Sequence, residues 1–166
     1  MISFQQARDI AEKIIQNKCH GVDVKLIIVD DQIIDKPYAW IFPYTSKQWL
    51  EGDFNYALAG NSPLFVEKQD GRVSTFRTGL SVEGMIDEYE ELNKTWSLKI
   101  PTSIYSNKMK LLALKRHINL TQLEITELKL NNINTVVVGS KNRLNRLAEL
   151  LKMSEIENEI VLTSGI

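Results

Sequence analysis

A chain of 166 residues with 43% hydrophobic and 25% charged side chains has a globular composition, and no low-complexity run marks a disordered segment. Its formal charge of −1 conceals an uneven distribution: residues 1–92 hold 9 Lys and Arg against 15 Asp and Glu, a net of −6, and residues 93–166 hold 11 against 6, a net of +5. The near-neutral total argues against general affinity for nucleic acid, and the contrast points to two modules, 1–92 and 93–166.

The single Cys19 cannot form an intramolecular disulfide. Residues Met1 to Asp9 lack a charged segment followed by an apolar core. These features lead us to expect no signal peptide, no membrane span and a cytoplasmic location.

Ser3 and Gln6 have capping-box spacing, and Phe4, Ala7, Ile10, Ala11, Ile14 and Ile15 form an apolar stripe that predicts a first helix ending before Gly21. Residues 24–29 and 38–44 read as strands, joined through Asp30, Asp31, Asp35 and Pro37, where carboxylates and proline favour a turn. Alternation sets Trp40 and Phe42 on one face and Ala39 and Ile41 on the other.

Thr45 to Ala59 is too polar for a core strand. It leaves Trp49 and Phe54 in a connecting segment, where the rings either pin the loop to the sheet or form an aromatic anchor ringed by Glu51 and Asp53. Gly60-Asn61-Ser62-Pro63 reads as a turn with Asn61 bonded to backbone, since it lacks the Gly-Lys-Ser/Thr ending of a phosphate loop.

Residues 63–67 and 72–77 predict a hairpin about Gln69-Asp70-Gly71. Ser81 stands at a helix N-cap, followed by Val82, Met85, Ile86 and Tyr89 at i, i+3, i+4 and i+7, with Glu83, Asp87, Glu88 and Glu90 on the outer face. The order α-β-β-β-β-α predicts an α+β fold in which an antiparallel sheet has one face covered by two helices.

Ala59-Gly60-Asn61-Ser62-Pro63, the apolar strand after it, Gln69-Asp70-Gly71, the second strand, Thr78-Gly79 and the closing helix with Tyr89-Glu90 resemble the YrhB-like family, also called immunity protein 35. The resemblance covers about residues 3–92. It implies a small, non-catalytic bacterial α+β domain of a kind encoded beside polymorphic toxins, with a cognate toxin as its partner.

After Leu92, Trp96, Leu98 and Ile100 alternate with Ser97 and Lys99 as a strand that Pro101 ends. Helices are predicted over 107–118 and 120–130, a strand over 135–138, a helix opened by Gly139-Ser140 with Leu144, Leu147, Ala148 and Leu151 on one face, and a final strand over 159–162. This β-α-α-β-α-β order, with Asn107-Lys108 opening its first helix, resembles the C-terminal domain of the bacterial ribosomal stalk protein over about residues 94–162. The family's glycine turn is here Leu120-Thr121-Gln122-Leu123, a departure at the place beside which the family recruits translation factors, so the resemblance implies the fold more strongly than that task.

No enzyme constellation is present. His20 and His117 fall in different modules, and Cys19-His20 lacks the further ligands of a zinc site, so neither metal nor cofactor is expected. Ser81 and Ser140 read as helix caps rather than nucleophiles. Lys108, Lys110, Lys115 and Arg116 form a secondary basic surface without the interleaved aromatics that stack bases.

The acidic residues of the first module serve solubility or complement a cationic toxin groove equally well. The expected partner-binding set is Trp49, Glu51, Asp53, Asp87 and Glu88, acting in toxin neutralisation. The rival expectation is an anti-aggregation, chaperone-like factor or a ribosome-associated adaptor that reaches the ribosome or a translation factor through the second module.

Overall fold

The Ser3 hydroxyl accepts the Gln6 amide at 3.2 Å while the Gln6 side chain accepts the Ser3 amide at 2.8 Å, so two otherwise orphaned donors are satisfied and helix α1 (Phe4–Asn17) begins there. The computed structural model describes residues 1–18 and 23–163, which leaves the Cys19-His20 pair outside the described residues. The chain divides into two compact units, Met1–Met85 and Ile86–Ile166, with the division inside helix α3 (Val82–Leu92).

In the first unit, α1 buries Ala7, Ala11 and Ile15 against Ile28, Phe42, Tyr44, Leu64 and Val66. The strands are β1 (Leu26–Ile28), β2 (Ile34–Asp35), β3 (Ala39–Phe42), β4 (Tyr44–Ser46), β5 (Leu64–Glu67) and β6 (Val73–Ser74). They form an antiparallel β2-β3-β5-β6 sheet and an antiparallel β1-β4 pair.

The expected strand at 38–44 is divided at Pro43, which has no amide to donate to a ladder. The Pro43 carbonyl still accepts the Val29 amide at 2.9 Å. The first expected strand is shorter than the apolar run: after β1, which pairs with β4, Asp30–Gln32 turns as a 3-10 helix, and β2 then pairs with β3 in the other sheet.

Register places Trp40 opposite Val66 and Phe42 opposite Leu64 on the α1 side, with the Phe4 ring 5.8 Å from Trp40 and 5.9 Å from Phe42. Ile41 and Phe65 pair on the opposite face, where the Phe76 ring lies 4.9 Å from Phe65. Trp40 and Phe42 share a face, as alternation requires. Between β5 and β6, Gly71 adopts φ +79°, and the Asp70 carboxylate accepts the Arg72 amide at 2.9 Å.

The second unit holds an antiparallel sheet in the order β8-β7-β9, from Thr135–Gly139, Trp96–Lys99 and Glu159–Leu162. Its helices are α4 (Lys108–Ile118), α5 (Gln122–Leu130) and α6 (Lys141–Met153). Helix α6 packs on all three strands and on α4, and its apolar face buries Leu144, Ala148 and Leu151.

Side chains start each of these helices. Asn107 accepts from Met109 and Lys110, Thr121 and Glu124 form a capping box, and Ser140 accepts from Arg143. The element order is the predicted β-α-α-β-α-β, and the fold is α+β.

Candidate protein-binding surface

The polar segment after β4 is held by its backbone, and its aromatic rings are left outside. The Ser46 hydroxyl accepts the Trp49 amide at 3.1 Å, which caps the short helix α2 (Lys47–Leu50), and donates to the Tyr56 carbonyl. The Lys47 amide donates to Lys25 O at 2.7 Å, and the Gln48 side chain to Asp23 O at 3.0 Å. Asn61 donates to the Tyr44 carbonyl, the backbone bond expected of it. Trp49 is nevertheless 41% exposed, Leu50 49% and Phe54 81%. An apolar patch on a hydrogen-bonded frame is typical of a surface that meets another protein.

Trp49 and Leu50 form one side of a groove of about 400 Å³, whose other walls include Ile34, Pro43, Pro63 and Val82. Gln32, Thr45, Asn61 and Glu83 supply its polar lining. Glu83, in the first turn of α3, is the one ionisable carboxylate that lines it, and among the described residues it has no ion-pair partner.

Most other carboxylates of this unit are already engaged. Glu51 pairs with Lys47 at 3.3 Å, and Asp53 caps the Phe54–Tyr56 turn by accepting the Asn55 amide at 3.1 Å. Asp30 pairs with Arg8, whose guanidinium pKa is raised by its hydrogen bonds to Asp30 and Glu12, and Asp35 pairs with Lys68.

Trp49 in α2, Glu51 at its C-terminal end and Asp53 at the start of the next turn thus belong to one connecting segment. Asp87 and Glu88 belong to the second unit and are half-buried. Asp87 has one carboxylate oxygen buried without a hydrogen-bond partner among the described residues. Glu90, assigned to the outer face by helical spacing, is only 3% exposed. Its carboxylate and that of Glu91 accept the Lys141 and Ser140 amides at 2.8 and 2.9 Å, and Glu91 also meets Arg143 at 2.7 Å.

These carboxylates also alter the charge contrast. Divided between Met85 and Ile86, the first unit holds 9 Lys and Arg against 11 Asp and Glu, a net of −2, and the second 11 against 10, a net of +1.

The basic residues of α4 have separate environments. Lys110 donates to the Glu155 carbonyl, Lys108 and Arg116 are exposed, and Lys115 is half-buried. His117 meets the Ser154 hydroxyl at 3.0 Å. Among the described residues, no cluster of His, Cys, Asp and Glu could hold a metal ion, and no helix is long and apolar enough to cross a membrane.

Sequence spacing did not single out Leu50 or Glu83 for this surface. The adjacent apolar pair Trp49-Leu50 inside a polar segment was the available signal for Leu50; nothing local marked Glu83, which reaches the groove through the tertiary fold.

Residues 5–91 match the family model for immunity protein 35. The chain is also 32% identical over 60 residues to the uncharacterized protein YrhB of Escherichia coli (strain K12), a match that spans 36% of this chain and 64% of that protein. No solved structure matches. These comparisons give no support to the ribosomal-stalk resemblance of residues 94–162. The family match spans just over half of the sequence and takes in α1, both hairpins and α3, so the chain belongs to the immunity protein 35 family.

Proposed function

We propose that the chain binds a cognate protein toxin in the bacterial cytoplasm and neutralises it by occluding its surface, with no chemistry of its own. Family membership supports the toxin as partner. The observation that carries the reading is the exposure of Trp49, Leu50 and Phe54 on a segment fixed by backbone hydrogen bonds. Rigid aromatic anchors bind with little loss of conformational entropy, and nearby carboxylates accelerate encounter with a cationic groove. The second unit would provide a further interaction surface.

The test is reconstitution with the product of the adjacent toxin reading frame. A one-to-one complex in solution, together with protection of cells that express the toxin, is the expected result. Sedimentation with ribosomes, or suppression of aggregation of several unrelated proteins without a stable toxin complex, would replace this reading with the adaptor or chaperone-like one. Replacing Glu51, Asp53, Asp87 and Glu88 together by their amides tests the electrostatic part: unchanged protection removes it.

A further inference from the structure

The groove beside Trp49 has a composition that selects its occupant. Its walls are aliphatic, aromatic and proline surface, yet no cation lines it and its one carboxylate, Glu83, has no ion-pair partner among the described residues. Asp31, next to the lining residue Gln32, is likewise exposed without an ion pair there. By contrast Asp30, Asp35 and Glu51 are neutralised within the unit. Among the described carboxylates of this unit Asp9, Asp23, Asp31, Asp53, Asp70 and Glu83 make no ion pair, and of these Glu83 is the one that lines the groove.

Glu83 also lies in the first turn of α3, where a carboxylate is compatible with the helix dipole, so it is held there at little cost.

From this we infer that the groove between α2 and the first turn of α3 takes an apolar side chain of the toxin flanked by Lys or Arg, with the apolar group against Trp49, Ile34 and Val82 and the cation at Glu83. The inference rests on the toxin-binding reading and names the chemistry of the segment recognised. A volume of about 400 Å³ admits a large side chain such as Leu or Phe together with adjoining backbone. Burying such a side chain supplies the larger part of the affinity, less the cost of ordering it. The exposed ion pair adds less and mainly selects charge.

The experiment uses the full chain and short synthetic peptides with one central Leu or Phe flanked by Lys and Arg, set against matched peptides flanked by Asp and Glu. The Trp49 indole N–H resonance reports occupancy, identified by its loss in Trp49→Phe.

The cationic set is expected to shift that resonance and to bind about five- to tenfold more tightly than the acidic set, with Glu83→Gln reducing the preference and Glu83→Lys reversing it. Peptides that fail to bind, that bind without moving the Trp49 resonance, or that show no charge preference would overturn the inference. So would self-association of the chain that perturbs Trp49 in the absence of peptide, because the occupant would then be a second copy.

The same Glu83 variants titrated with the toxin separate the two levels. Binding by wild type and Glu83→Lys alike refutes the groove inference and leaves toxin neutralisation standing, whereas no toxin binding by wild type refutes the function whatever the peptides do.

Discussion

Glu90 caps a helix that lies far along the chain: its Oε2 accepts the backbone amide of Lys141 at 2.8 Å, at the start of α6. Beside it Glu91 accepts the Ser140 amide and holds Arg143. Two carboxylates thus meet the positive end of the helix that packs on every strand of the second unit. Removing the buried acceptor strands an amide and leaves a void. Glu90→Ala is expected to cost about 1–2 kcal/mol and Glu90→Gln, which keeps an acceptor oxygen, less than half of that. Glu91→Ala should cost under about 1 kcal/mol because its ion pair is exposed. Urea unfolding of the three variants gives the order, and equal losses for Glu90→Ala and Glu90→Gln would show that the negative charge at the helix start, and neither packing nor the acceptor oxygen, carries the effect.

Gly71 serves the first unit in two ways. Its φ of +79° suits glycine, and a Cβ there would come within 2.8 Å of Ile10 Cδ1 and 3.3 Å of Ile2 Cδ1. Gly60 has a similar φ of +74° but meets nothing nearer than 3.7 Å. Gly60→Ala therefore isolates backbone strain, expected at about 1 kcal/mol. Gly71→Ala adds displacement of two isoleucines and should cost about 1–3 kcal/mol. Thermal unfolding decides between them; an equal loss in both would mean that α1 yields without resistance.

Tyr105 gives the second unit a pH dependence. Its hydroxyl donates to the Ile133 carbonyl, and burial raises its pKa above the ordinary 10.0. The folded state therefore favours the protonated phenol. This contribution is full below pH 10 and is lost as pH rises through the raised value. Tyr105→Phe should be about 1 kcal/mol less stable than wild type near neutral pH, with the difference shrinking above pH 10. Chemical denaturation from neutral to strongly alkaline pH measures this gap, and one that stays constant would show that the phenol does not titrate differently on folding.

Much of the fold was legible because its signals are local. Ser3 with Gln6, Asn107 and Ser140 mark helix starts through side chains that reach two or three residues, and alternation from Trp96 to Ile100 gave β7 directly. The divided strand at Pro43 and the short α2 were less legible, since both depend on where β1 and the segment around Asn61 come to lie.

The site shows the same limit. Trp49 stood out as an aromatic in a polar segment. Helical spacing could not distinguish Glu83, open at the groove, from Glu90, buried against α6, because a partner 51 residues away decides the second case. The charge contrast likewise depended on which unit holds the carboxylates of α3.

The most direct test titrates the toxin with wild-type chain and with Trp49→Ala, and follows the thermal unfolding of both in parallel. Trp49 is exposed enough that truncation should cost about 1 kcal/mol or less in stability. As an interface anchor it should weaken binding by about 2 kcal/mol or more, roughly thirtyfold in Kd. Unchanged affinity with a lowered Tm would contradict this and assign the ring to holding its own loop in place.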